Sequence, residues 1–343
     1  MNKRSIIILI CFFTLLTAAG VIYQILSREP QAEQYDNLEI LFPGIEISEL
    51  FDDGQRLWTG TADGIYLLDR DSGSTIKKLD APIHMIYSAM ITKTEDGLVW
   101  AGHEDGLSAF DADLNEIYRF EAPDIPGGRV NALLADSDGL WAGSQEGAFR
   151  LANTGGEWKV EEILTTDSGL VEDVVQVISK VGDELWFGSY LAVGKGGISI
   201  RTNHGWKYLS TEEGIPHRYI NAILPLKDGR VLIGSGQMIY GGLSVAEKIS
   251  DGWSITANFD QKDGIPGMKV RWLFLDSLGK LWITTEAEGI LILDDPDMLK
   301  STPITGLILK KENGLADDEV KCIEECDNCF WLGGKYGLTR LGK

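Results

Sequence analysis

The hydrophobic and polar positions of the chain fall into short period-two runs, separated by turns rich in glycine and aspartate. "VNALLAD", from Val130, is one such run, and "WKVEEIL" and "WKYLS" are others with a more polar face. Alternation of this kind predicts half-buried strands, and no stretch of helical periodicity longer than about two turns interrupts it. The turns "DDGQ", "TEDG", "DSDG", "LKDG" and "DSLGK" carry residues that tolerate positive φ, so each joins two strands into a hairpin.

The runs recur as a unit. An apolar residue and Trp are followed by a small residue and Gly, then by a second Gly and alternating apolar positions: "LWTGTADGIYLLD", "VWAGHEDGLSAFD", "LWAGSQEGAFRLA", "LWITTEAEGILILD" and "FWLGGKYGLTRLG". "LWFGSYLAVGKGGISI" and "VLIGSGQMIYGGLSVA" are expanded copies. The anchors are Trp58, Trp100, Trp141, Trp186, Leu232, Trp282 and Trp331, spaced by 42, 41, 45, 46, 50 and 49 residues. Each unit holds four strands. A lone four-stranded sheet cannot bury both faces, so the units are expected to stack radially. The predicted fold is all-β, a seven-bladed β-propeller over 37–343, with the Trp rings filling the wedges between blades. The last unit stops after its third strand, while "DNLEILFPG", from Asp36, supplies a spare one. The N-terminal strand is therefore expected to complete the last blade and remove an open edge.

The first residues read differently. From Ser5 to Leu26 there are 22 residues without a charge, preceded by Lys3 and Arg4. That length crosses a bilayer core, and the basic flank favours a cytoplasmic N-terminus with the body outside. Ile6–Leu16 followed by "TAAG" also has the form of a signal peptide cut near Ala19 or Gly20. Residues 1–27 are thus a transmembrane anchor or signal helix and 28–36 a polar linker. The expected location is a single-pass attachment to the cell membrane with the propeller on the extracytoplasmic side, or secretion if the segment is removed. Cys11 follows Ile10, where lipidation needs a small residue.

Net charge is -21, and three basic residues with no acid lie in the first 28 positions, so the body carries -24. Such a body repels phosphate backbones and anionic lipid, which excludes nucleic acid as an expected partner and leaves the N-terminal helix as the only expected membrane contact. A protein partner in the cell envelope, or a small or glycan ligand, fits the charge.

The units resemble the two-component regulator propeller repeat. The resemblance rests on "VNALLADSDGLWAGSQEGAFRL" and on the loops "EGIPHRYINAIL" and "DGIPGMKVRWLF", and it covers about residues 37 to 343. It implies an extracytoplasmic sensing or scaffold domain, often fused to a histidine kinase. Here the sequence stops with the propeller, so any signal is expected to pass to another protein.

Candidate binding residues come from two patterns. The polar position after the first apolar residue of each inner strand reads Ser48, Ser88, Asn131, Gln176, Asn221, Arg271 and Lys321. If those strands line the axis, these side chains form a ring at one mouth, where Arg271 and Lys321 would attract a carboxylate or a sugar acid. The alternative is a ring that satisfies blade backbones and holds water. The loops "SYLAVGKGG" and "SGQMIYGG", in neighbouring units, are long and would wall a pocket with Tyr190, Lys195, Met238 and Tyr240.

Other chemistry-bearing residues are scattered. His84, His103, His204 and His217 lie in different units with no ligand spacing, and His103 is expected to face a loop. "DADLNE" fails the calcium-loop pattern at its sixth and twelfth positions and reads as a hairpin turn. Cys326 and Cys329 flank a turn and are a disulfide candidate in an exported protein, with free thiols or a redox or metal role as the other readings. No catalytic residue, cofactor or metal is expected. The leading function is non-catalytic ligand or protein binding; the runner-up is a propeller lyase or hydrolase with a metal-assisted site in the central channel.

Overall fold

In six of the seven repeats the second strand carries a glycine near its end, blade six having Thr284 instead, and the next sheet leaves little room for a side chain there. A Cβ at Gly143 would sit 2.7 Å from Cγ1 of Val175, and one at Gly234 would sit 2.7 Å from Cγ1 of Val270. The β-branched residue that opens the inner strand of blades one and three to six (Ile47, Val130, Val175, Ile220, Val270) seats on the glycine of the preceding sheet. This contact turns the sequence repeat into a stack.

The computed structural model describes residues 38–79, 90–137, 139–191, 193–250, 252–300 and 302–343. Residues 36–343 form one compact unit. It contains seven four-stranded antiparallel sheets, arranged as a seven-bladed β-propeller. Blade one runs from the inner strand Ile47–Asp52 through Arg56–Thr61 and Gly64–Asp69 to the outer strand Thr75–Lys78. The inner strands of blades two to seven are Ile91–Lys93, Val130–Asp136, Val175–Val181, Ile220–Pro225, Val270–Leu275 and Val320–Glu325. Blade seven has Cys329–Gly334 and Gly337–Gly342 as its next two strands. Leu38–Leu41 lies antiparallel to the last of these, with Leu38 opposite Leu341 and Leu41 opposite Leu338.

The Trp residues sit between sheets. Trp58, Trp100, Trp186, Trp282 and Trp331 are fully buried. A buried indole N–H needs an acceptor, and the hairpin turns provide it. Trp58 Nε1 donates to Asp53 Oδ2 at 2.8 Å, and Trp282 Nε1 to Asp276 Oδ2 at 3.0 Å. Burial pushes the Asp53 carboxyl up, but the bonds from Trp58, Gln55 and Arg56 outweigh it and hold the group below its ordinary value. The turn aspartate therefore shapes the hairpin and satisfies the wedge at once.

The "G-L/I" loops have a packing role as well. Gly169, Gly264 and Gly314 take positive φ, and the apolar residue after each (Leu170, Ile265, Leu315) is buried under a blade junction. Where blade seven meets blade one, Ile47, Leu50, Leu57 and Leu68 pack on Cys322, Cys326, Cys329, Trp331 and Leu338.

The expected anchor or signal helix at 1–27 and the linker at 28–36 lie outside the described residues, as does Cys11. Among the described residues no helix is long and apolar enough to cross a membrane.

Candidate functional site

The inner strands share one irregularity. In blades one and three to seven the pairing with the second strand skips a residue at the second position. The skipped residues are Ser48, Asn131, Gln176, Asn221, Arg271 and Lys321. A bulge leaves its extra residue out of the ladder and re-aims its side chain. All six line a single cavity of about 470 Å³. The seventh member of the predicted ring, Ser88, lies outside the described residues.

The six members do different things. Asn131 Nδ2 donates to the Val175 carbonyl at 3.2 Å. Asn221 Nδ2 donates to the carbonyls of Val270, at 3.0 Å, and Gly236, at 3.1 Å. Each amide thereby ties its blade to the next. Ser48 Oγ donates to the Gly60 carbonyl at 3.2 Å, within its own blade.

The cations on the wall each have a carboxylate partner. Arg271 Nη1 lies 3.5 Å from Glu319 Oε1. Lys321 pairs with Glu46 and lies 3.9 Å from Glu319. Arg129, also on the cavity wall, pairs with Glu104 at 2.7 Å. The acids come from segments just ahead of inner strands or from hairpin turns, so each positive side chain meets a carboxylate before any ligand does.

Tyr190 lines the cavity. Its ring stacks near Tyr219, with centroids 4.9 Å apart, and Lys269 Nζ lies 5.9 Å from its centroid. Burial raises the Tyr190 phenol, opposed by Arg271. Lys269 is buried and pairs with Glu286 at 2.8 Å; desolvation, then Arg271, hold its ammonium below the ordinary lysine value. Lys195 and Tyr240 do not join Tyr190. Lys195 is 72% exposed and pairs with Glu212 across 3.6 Å. In blade five the residues expected to form a long loop instead continue the hairpin, with pairing out to Gln237 opposite Tyr240. That extension carries Met238 and Tyr240 out into solvent.

One residue that the sequence reading missed stands out. Glu49 follows the bulge of blade one, lines the cavity and is 4% exposed. Burial pushes its carboxyl well above the usual carboxylate range, and the charge of Glu324 adds to this. Glu324, on the inner strand of blade seven, is itself raised to about 7, chiefly by burial. The available signal was the repeat alignment: where blade one has Glu49, the other described bulges are followed by Ala132, Val177, Ala222, Trp272 and Cys322.

His103 is buried, not loop-facing. Its Nε2 lies 3.1 Å from Ser108 Oγ, and its Nδ1 accepts from the Asp105 backbone N–H at 3.3 Å. Burial, then Arg119, lowers its pKa to about 4. Cys326 and Cys329 are thiols in the structure, both buried and hydrogen-bonded to each other. That bond and burial push Cys326 up; the same bond, assisted by Arg340, holds Cys329 down to about 7. Among the described residues no three His, Cys, Asp or Glu side chains gather as a metal-ligand set.

No family model matches the chain, and no curated protein matches it. Solved structures do. The extracellular domain assigned to the hybrid two-component system BT3049 of B. thetaiotaomicron superposes with a TM-score of 0.70 at 21% identity, over 87% of this chain and 39% of that one. The extracellular domain assigned to the one-component system BT4673 of the same organism gives 0.66 at 18% identity, over 90% and 40%. Virginiamycin B lyase from Staphylococcus aureus gives 0.59 at 14% identity, over 90% and 99%. This chain spans about two fifths of the length of the two B. thetaiotaomicron chains. At these identities the similarity establishes the propeller fold.

Proposed function

We propose that this chain is a non-catalytic binding propeller, held on the extracytoplasmic side of a membrane by its N-terminal segment, that takes a small ligand in its axial cavity and passes the event to a protein partner in the cell envelope. The carrying observation is the cavity itself: about 470 Å³, on the axis, walled by the bulge residues of six blades. Pockets of about 300–1,000 Å³ with few convergent polar groups are the usual form of small-molecule sites. Two structural neighbours are extracellular domains of signalling systems, which supports the location and the role.

The binding reading outweighs the lyase reading on the chemistry of the wall. Its described side chains are amides, paired ions, the Ser48 hydroxyl, the Tyr190 phenol, the Glu49 carboxyl and apolar groups, and no histidine is among them to serve beside a metal. We also propose that Leu38–Leu41 latches the ring, since it supplies the outer strand of a blade whose other three strands are C-terminal.

Native mass spectrometry of the protein purified from its own membrane tests the reading. A retained small molecule that is lost in Gln176→Trp, a variant that fills the cavity from a partly exposed wall position, is the expected result. Conversion of such a molecule by the wild-type protein would refute the non-catalytic role.

A further inference from the structure

Glu49 is out of keeping with its position. Its counterparts after the other described bulges (Ala132, Val177, Ala222, Trp272 and Cys322) carry no ordinary charge, and Val177, Ala222 and Trp272 line the same cavity. Glu49 is placed there without a counter-ion: no ion pair among the described residues reaches it, and its recorded hydrogen bond is with the Leu50 backbone N–H. An uncompensated buried carboxylate costs several kcal/mol. The groups facing it from the next blade worsen matters, because Glu324 repels it and Cys322 is a buried thiol. Lys321, on the same strand as those two, is held by Glu46.

The rest of the cavity complements an apolar body. In a seven-membered ring, blades four and five lie across the axis from blade one. They present Val177, Ile178, Ala222 and Ile223 to the cavity. Trp272 also lines it, and no hydrogen-bond partner is found for its indole N–H among the described residues. Aromatic faces beside a carboxylate are the usual surroundings of a bound organic cation.

Resting on the reading of this cavity as a ligand site, we infer that its ligand class is the protonated amine carrying an apolar body, with the ammonium against Glu49 and the body against blades four and five. The ligand's charge supplies the counter-ion that the described residues do not. A carboxylate ligand would meet Glu49 without one.

Calorimetric titration of the full chain at pH 7 tests this with three probes of one shape: phenethylamine, 2-phenylethanol and phenylacetate. Phenethylamine is expected to bind the wild type at least ten-fold more tightly than either isostere. Glu49→Gln, the same shape without the charge, is expected to lose ten-fold or more of that affinity while its circular dichroism and melting temperature show a folded protein. Glu49→Asp is expected to recover part of the loss. Equal amine binding by wild type and Glu49→Gln overturns the inference. So does a preference for phenylacetate, which would leave the cavity reading standing. So does the absence of binding by all three, and the retained-ligand measurement then decides separately whether the cavity is a ligand site.

Discussion

The wall of the channel built by blades three to five and the wall built by blades six, seven and one use the same bulge for different chemistry. On the first wall, Asn131 and Asn221 turn their amides to the carbonyls of the next blade, and the residues that follow the bulges are apolar. On the second, Arg271 and Lys321 are bound by carboxylates, and Glu49 is buried with no ion-pair partner among the described residues. One wall is closed by amide bonds between blades. The other holds a buried carboxyl that no described cation pairs with. A repeat can thus keep its packing contacts constant while varying a single outward position, and function is written in the departures.

The largest expected effect comes from breaking the ring at the junction beside the charged wall. Deleting residues 37–43 removes the outer strand of blade seven and exposes the edge of Gly337–Gly342. Large truncations of packed apolar groups cost about 2–5 kcal/mol each, so the melting temperature is expected to fall by roughly 6 °C or more. Differential scanning calorimetry measures this, and no change would remove the proposed latch.

A smaller effect is expected from the seats between blades on the neutral wall. Gly234→Ala places a methyl 2.7 Å from Val270 Cγ1. Overpacking of this kind costs about 1–3 kcal/mol, readable as a lower denaturant midpoint. Asn221→Ala leaves two carbonyls without their donor and is expected to cost about 1–3 kcal/mol. If both variants proved silent, the neutral wall would not be structural and the contrast would fail.

The charged wall predicts a pH dependence of definite sign. Glu49 and Glu324 have folded pKa values above their ordinary ones. Their contribution is fully present below the unfolded value of about 4.3 and is lost as pH rises through the folded values, which for Glu324 means near 7. Chemical denaturation of the wild type is expected to show declining stability from about pH 5 to above 7. Glu49→Gln and Glu324→Gln should each flatten that slope. At the small end, Lys195→Ala should change stability by less than about 0.5 kcal/mol, because its ion pair is exposed.

Most of the fold is legible in the sequence because each repeated residue makes one repeated contact. The Trp fills a wedge, a nearby oxygen (the turn aspartate for Trp58 and Trp282) accepts its N–H, and in most blades the glycine seats the next blade's Val or Ile. These are local or nearest-neighbour demands, and they recur at a readable spacing. The polar ring is legible for the same reason, as one position in a repeat. Its electrostatics is not. Glu46 and Glu319 sit ahead of their strands, and only the folded register brings them to Lys321 and Arg271. The stretch "SGQMIYGG" carries the glycines of a loop, yet cross-strand pairing continues through it. Glu49 follows the bulge at Ser48, at a position where the other described blades carry Ala, Val, Trp or Cys, so only the repeat alignment marks it as an exception.

The most direct test of the account is a structure of the protein purified from its native source with whatever it retains. The account predicts a small molecule in the axial cavity, in contact with Glu49 on one side and with Val177 or Ala222 on the other, absent from Gln176→Trp prepared in the same way. A molecule bound elsewhere on the propeller, or one that survives the Gln176→Trp substitution unchanged, would contradict it.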